Sequence, residues 1–265
     1  MTRARTGLRP PGALRVPAIL AIAFLALPLA GLVTRAPWSA LPGLISSAPA
    51  RDALRLSLVC SLGAVAICLV LGVPLAWLLA REPRLPGRGV LRAVVLVPLV
   101  LPPVVGGTAL LLAFGRRGVL GGTLAAVGVR LPFTTAGAML AEAFVALPFL
   151  VLTVEGALAG LDPRYEEVAA TLGASGWVTF RRVSLPLLGP ALTAGAVLAW
   201  ARALGEFGAT ITFAGSFPGR TETLPLAVYL DLTTDPATGI AESVLLLGVS
   251  LVVLLALRGR WVIRR

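Results

Sequence analysis

The sequence predicts an all-α polytopic membrane protein with six transmembrane helices, and three observations carry that prediction. Of its 265 residues 57% are hydrophobic and 13% charged, and the mean hydropathy of +0.93 lies far outside the range of a water-soluble domain. Six apolar segments match, or nearly match, the roughly 20 helical residues that a bilayer core requires. The connecting segments hold the Pro, Gly and Arg residues expected of loops, and the arginines are unevenly divided between alternate loops.

Residues 1–15 form a basic terminus with Arg3, Arg5, Arg9 and Arg15. The first span, Val16 to Val33, follows directly. Its basic start, apolar run and small residues at Ala30 and Gly31 also fit a secretory signal, so cleavage after this span stands as an alternative. Pro37, Pro42 and Pro49 mark the next loop, and the second span covers Ala53 to Ala80. After "REPRLPGRG" the third runs from Val90 to Phe114. It contains Pro98, Pro102 and Pro103 followed by Gly106 and Gly107, which must distort or interrupt a helix. A packing kink and a pathway role both fit this cluster. The fourth span, Thr134 to Leu161, carries Glu142 and Glu155; the fifth is Leu187 to Phe213; the sixth, Ile240 to Leu257, has Glu242 near one end. These acids read as partners for neighbouring helices or snorkelling groups rather than a proton relay. Residues 258–265 form a basic tail, leaving 16–257 as the membrane domain.

Fifteen arginines lie before the first span and after the second, fourth and sixth, against seven on the other side, with Arg202 inside a span. Cationic residues collect on cytoplasmic loops, so both termini are expected in the cytoplasm of a multi-pass protein of the cell (inner) membrane. The net charge of +11 is thereby a matter of topology, and no nucleic-acid partner is expected.

The absent residue types exclude several chemistries. With no His there is no imidazole base or His-ligated metal, and no metal site or catalytic residue is expected. All 23 basic residues are Arg, so the Gly-Lys-Ser/Thr ending of a P-loop cannot occur. Cys60 and Cys68 are about 12 Å apart along one helix, beyond disulfide reach, and read as buried small hydrophobes.

Between the fourth and fifth spans, residues 162–186 follow a different pattern. Asp162 suits an N-cap, Pro163 the first helical position, and Glu166 and Glu167 the first turn, where the helix dipole favours negative charge. Tyr165, Val168, Ala169 and Leu172 recur at helical spacing to form one apolar face, and Gly173 suits a C-terminal cap. A helix of about ten residues is marginal in water and needs a surface to lie against. A second short turn carries Trp177 and Phe180, with Arg181 and Arg182 near its end, and Ser184 and Pro186 read as the cap and opening turn of the fifth span. Lipid headgroups and another protein are both suitable surfaces.

Glu167, Ala169, Gly173, Val183, Leu185 and Pro186 reproduce the spacing of the "EAA" loop and resemble the permeases of ABC importers; Val168 stands where that pattern has its first Ala. The resemblance implies a type I importer architecture in which this loop forms a cytoplasmic coupling helix docked on a separate ATPase. MgATP would then be bound by the partner, with no cofactor on this chain. It further implies a second copy of the chain around a central pathway and an extracytoplasmic binding protein that delivers the cargo. The run "RALGEFGATITFAGSFPGRTETLPLAVYLDL", Arg202 to Leu232, with "LPPVVGGTALLLAFGRRGVLGG" and "LGVPLAWLLAR", is similar to molybdate permeases, and implies molybdate or tungstate as cargo. Sulfate permeases share Gly205 to Gly208, so sulfate or another oxyanion is the alternative.

Arg202 and Glu206 lie at i and i+4 inside an apolar span, where each alone would be costly. Mutual neutralisation is one reading. The other places them on an anion pathway, Arg202 offering donors to a tetrahedral oxyanion and Thr210 and Thr212 adding weak contacts that let it leave. A secondary transporter would show internal repeats and a titratable coupling residue, and an intramembrane enzyme would need a nucleophile–base set; neither pattern is visible.

Overall fold

The computed structural model describes residues 12–82 and 84–262. Arg3, Arg5, Arg9, Arg264 and Arg265 of the expected basic termini lie outside the described residues, as do the side chains of Arg258 and Arg260. Among the described residues the structure is helical, with fourteen α-helices: α1 (Arg15–Arg35), α2 (Leu41–Ile45), α3 (Ala48–Arg81), α4 (Arg88–Val100), α5 (Pro103–Phe114), α6 (Gly121–Ala126), α7 (Thr135–Gly160), α8 (Arg164–Thr171), α9 (Gly176–Thr179), α10 (Leu185–Leu187), α11 (Gly189–Leu204), α12 (Gly208–Ala214), α13 (Leu224–Thr234) and α14 (Pro236–Val262).

Residues 46–230 form one compact unit. Its axis is the pair α3 and α7, and the facing residues fix their relative direction. Cys60 approaches Thr135, an added Cβ on Gly63 would meet Met139, Cys68 approaches Ala143, and one on Gly72 would meet Leu150. Residue numbers rise together along both helices, so α3 and α7 are parallel. Arg92 reaches Glu155 while Gly106 faces Phe144, so α4 and α5 run antiparallel to α7. Gly195 faces Leu150 and Phe213 lies against Gly137, which gives α11 and α12 the same antiparallel sense. This alternation is what chain segments crossing a bilayer in turn must show.

The contact surfaces are built of small residues. Ala64, Cys68 and Ala76 of α3, Ala143 and Ala146 of α7, and Ala199 and Ala203 of α11 are buried in one core with Leu79, Leu150, Val154 and Leu158. Lipid tails are as apolar as leucine, so helices in a membrane gain from close backbone approach rather than from hiding large side chains. Many large residues are accordingly left on the outside, among them Leu62, Val70, Leu112 and Leu198.

Among the described residues four helices, α1, α3, α7 and α14, are long and apolar enough to cross a bilayer unbroken. The third and fifth expected spans are each divided. Leu101 and Pro102 leave helical geometry between α4 and α5, as the Pro cluster requires. The fifth was expected to be continuous from Leu187 to Phe213, and this is corrected by a break at residues 205–207 between α11 and α12. Its cause is Glu206, whose Oε1 accepts a hydrogen bond from the Ala209 N–H at 2.7 Å and so starts a new helix where one was already ending. The second span begins before Ala53: Ser47 accepts from the Ala50 N–H at 3.3 Å, and Pro49, read from sequence as a loop residue, sits in the first helical turn.

The described residues of 12–45 and 231–262 form the other unit. No residue of α1 is buried, and α1 and α2 both touch α14. The Asp235 carboxylate accepts from the Thr238 hydroxyl at 2.6 Å at the start of α14, and that bond holds Asp235 below the usual carboxylate range.

Candidate functional site

The segment after α7 forms the first part of the candidate site. Asp162 Oδ1 accepts from the Arg164 N–H at 3.0 Å, so the expected cap is made and α8 begins within a residue of the expected position. At the other end Gly173 has φ +83°, the Gly173 N–H bonds the Ala170 carbonyl, and the Ala174 N–H bonds the Ala169 carbonyl, each at 3.0 Å. This pair of bonds closes the helix by the Schellman arrangement, which needs a left-handed residue at that position.

The side of α8 turned to the protein is narrow. Ala169 is buried and Glu166 half-buried, whereas Tyr165, Glu167, Val168 and Leu172 are exposed, Leu172 to 82%. The expected apolar face therefore exists, but only Ala169 of it rests on this chain. Beyond Gly173, Ser175 caps α9 by accepting from the Val178 N–H, and a π-helical turn spans Phe180–Ser184. Trp177 is 68% exposed, continuing the open surface, while Phe180 and Leu185 pack on the core and Val183 is half-buried. Gly176–Leu187 and Gly189–Leu204 meet at a bend of 73°.

The expected cap at Ser184 is corrected. Backbone geometry runs helically through Ser184 (φ −73°, ψ −45°), leaving no helix start to cap, and its hydroxyl donates to Glu166 Oε1 at 2.9 Å. Glu166 also pairs with Arg81 at the end of α3, Nε to Oε2 at 3.0 Å. No local pattern pointed to this triplet, because Arg81 and Glu166 are 85 positions apart. Arg92 and Glu155 form a second such pair at 2.5 Å, with Glu155 buried, which places Glu155 as a helix–helix partner.

The second part of the site lies at the α11–α12 break. Arg202 Nη2 pairs with Glu206 Oε2 at 2.6 Å, and since the other oxygen of Glu206 holds the Ala209 N–H, both carboxylate oxygens are occupied. Glu206 is 1% exposed and the Arg202 side chain 28%, so the pair neutralises a buried charge while Arg202 stays partly open. Thr212 and Thr210 are not gathered with them. The Thr212 hydroxyl donates to the Gly208 carbonyl at 2.8 Å, and its Cβ lies against Gly107 of α5. Thr210 is fully buried, and its hydroxyl has no hydrogen-bond partner among the described residues. Glu142 on α7 is also buried, within electrostatic range of Glu206, and its Oε2 lacks a hydrogen-bond partner among the described residues.

Gly107 and Gly208 explain how α5 and α12 approach so closely. A Cβ on Gly107 would lie 2.6 Å from Thr212 Cβ, and one on Gly208 would lie 2.7 Å from Pro103 Cβ.

Comparison with known proteins gives a consistent result. Residues 72–264 match the family model described as "Binding-protein-dependent transport system inner membrane component". The chain is 49% identical over 247 residues to the "Molybdenum transport system permease protein ModB" of Mycobacterium tuberculosis, covering 92% of each chain. It is 42% identical over 179 residues to the "Sulfate transport system permease protein CysT" of Escherichia coli, covering 67% of this chain and 64% of that one. Among solved structures it superimposes with a TM-score of 0.72, at 20% identity and 95% coverage of each chain, on a "bacterial ABC transporter involved in the import of the acidic polysaccharide alginate".

Proposed function

This chain belongs to the family of binding-protein-dependent transport system inner membrane components, and from that premise we propose that it is the permease subunit of an ATP-driven molybdate importer. The single observation that carries the cargo is the degree of identity over a long match: the chain is 49% identical over 247 residues to the molybdenum permease of Mycobacterium tuberculosis, against 42% over 179 residues and 37% over 227 residues for two sulfate permeases. Tungstate, a tetrahedral oxyanion of the same charge, is a second cargo on the same contacts.

Two copies enclose the pathway, with the partly exposed Arg202 side chain facing the anion. Glu206 holds Arg202 in place, so the anion meets a fixed and partly neutralised cation that lets it go again. On the cytoplasmic side the coupling helix α8 and the turn after it present Tyr165, Val168, Leu172 and Trp177 to a separate ATPase that binds MgATP. Glu167, Ala169, Gly173, Val183, Leu185 and Pro186 shape that segment, and both chain termini lie on the same side. ATP-driven closure of the partner moves the coupling helices and shifts the balance between inward- and outward-open packings. An extracytoplasmic binding protein supplies the anion.

The test is uptake into proteoliposomes holding the permease, its ATPase and the binding protein, with molybdate, tungstate and sulfate in competition. Molybdate uptake displaced by tungstate and not by sulfate is the expected result. Displacement by sulfate at equal concentration would assign the chain to a general oxyanion importer.

A further inference from the structure

The end of α3 carries two contacts with the coupling segment, and both lie on one helix face. Trp77 and Arg81 are four residues apart, one turn of helix. Trp77 meets Phe180 edge to face at 5.0 Å between ring centroids, and Trp177 lies tilted against Phe180 at 5.6 Å. Arg81 pairs with Glu166, whose Oε1 also takes the Ser184 hydroxyl. A single helix end thus grips α8 through Glu166 and the π-helical turn through Phe180, while Ser184 ties those two pieces to each other. Behind this grip α3 is rigidly seated, since Leu79 shares its core with Leu158 and Leu188, and Gly72 lies close against Leu150 of α7.

The ion pair is suited to holding through a displacement. Its members are only 19% and 18% exposed, so water competes little for them. Both carboxylate oxygens lie on Arg81 Nε, at 3.0 and 3.2 Å, and the buried Nη2 has no acceptor among the described residues. A shift of α8 toward Nη2 converts the contact to a two-pronged pair without breaking it.

We propose that Arg81 and Glu166, flanked by Trp77 and Phe180, form the strut through which movement of the coupling helix enters the membrane bundle by way of α3. The inference rests on the reading of the chain as an ABC permease and adds to it the residues that carry the stroke. These are positioning residues: the surface offered to the ATPase is Tyr165, Val168, Leu172 and Trp177, on the other side of α8. Besides the chain connections that join the coupling segment to α7 and α11, α3 touches that segment through the side chains of Trp77 and Arg81 and packs along both α7 and α11.

The experiment compares the wild-type complex with Glu166→Gln, Arg81→Gln and the exchanged pair Arg81→Glu with Glu166→Arg, in proteoliposomes with ATPase and binding protein. Each single variant keeps ATPase association and basal hydrolysis but lowers uptake per ATP about tenfold, in the range of ordinary site-to-site couplings, and the exchanged pair restores most of it. Unchanged uptake per ATP in both single variants overturns the strut, as does loss of ATPase association, which would make Glu166 a docking residue. A second readout does not depend on the cargo. Hydrogen exchange in residues 75–82 and 164–184 is followed on trapping the partner with a non-hydrolysable ATP analogue. In the wild type both segments respond; in Glu166→Gln only the second does. An equal response of 75–82 in the variant overturns the proposal even where molybdate proves the wrong anion, so failure of the strut and failure of the assigned cargo are told apart.

Discussion

Replacing Gly173 tests whether a left-handed backbone position, rather than space, sets the strength of the coupling helix. The residue has φ +83°, and a Cβ built there meets nothing within 4 Å. A substitution therefore leaves packing within this chain untouched and pays only for the backbone, about 1–2 kcal/mol for an ordinary L-residue. In a well-packed helix that cost would be shared with tertiary contacts. Helix α8 has eight residues and rests on the bundle through little more than Ala169 and Glu166, so the cost falls on the helix itself. A shift of that size lowers the closed, docking-competent form about 5–30-fold. Asn, which tolerates the left-handed region, should lose least; Ala and Leu should lose alike, because neither finds a neighbour; Val should lose most. Membrane insertion, recovery of the ATPase with the tagged permease, and uptake are measured for each variant. Insertion is expected to hold while association and uptake fall together in that order. A graded loss in which Ala is harmless and Leu severe would refute the backbone argument and place a partner's surface against Gly173. Normal association in all four variants would refute the docking assignment.

Three further outcomes follow from the geometry. Gly107→Val and Gly208→Val each push α5 from α12, with a cost of about 1–3 kcal/mol by the usual penalty for overpacking, read as a lower unfolding midpoint in detergent; an unchanged midpoint would count against the close approach. Arg92→Ala leaves the Glu155 carboxylate, 5% exposed, without its cation, and is expected to cost about 1–3 kcal/mol, less than a fully enclosed pair because Arg92 is half exposed. Adding Glu155→Gln should recover most of that stability, and failure to do so would show that Arg92 acts elsewhere. The double variant Arg202→Gln with Glu206→Gln removes both charges of the α11–α12 pair; loss of uptake with normal folding supports a pathway role for Arg202, whereas retained uptake leaves the pair purely structural.

Much of the site was legible because its signals are local. The start of α8 follows from Asp162 and the first-turn acids, its end from Gly173, and the interruption of the third span from Pro102 and Pro103; each depends on backbone geometry within a few residues. The break in the fifth span was not read, although Glu206 three residues before Ala209 is a capping distance, because in an apolar span an acid is more readily taken as a helix-face partner. Helix α13 lies between the fifth and sixth expected spans, where no local signal marks a helix. Its start depends on the Ser57 hydroxyl, 167 positions away, which accepts from the Leu224 N–H at 2.6 Å.

The residues by themselves determined that this chain lives in a membrane, how many apolar segments it has, and where a short amphipathic helix interrupts them. Those properties follow from composition and from periods of a few residues, which any backbone conformation must respect. Tertiary structure alone decided which face of α8 is left open and which acid holds it. The sequence motif emphasises Glu167, but the folded chain turns Glu167 outward and closes Glu166 on Arg81 and Ser184. The reason is geometric: two helix ends 85 residues apart meet only after α3 and α7 have packed in parallel through their small residues, and no local pattern encodes that meeting.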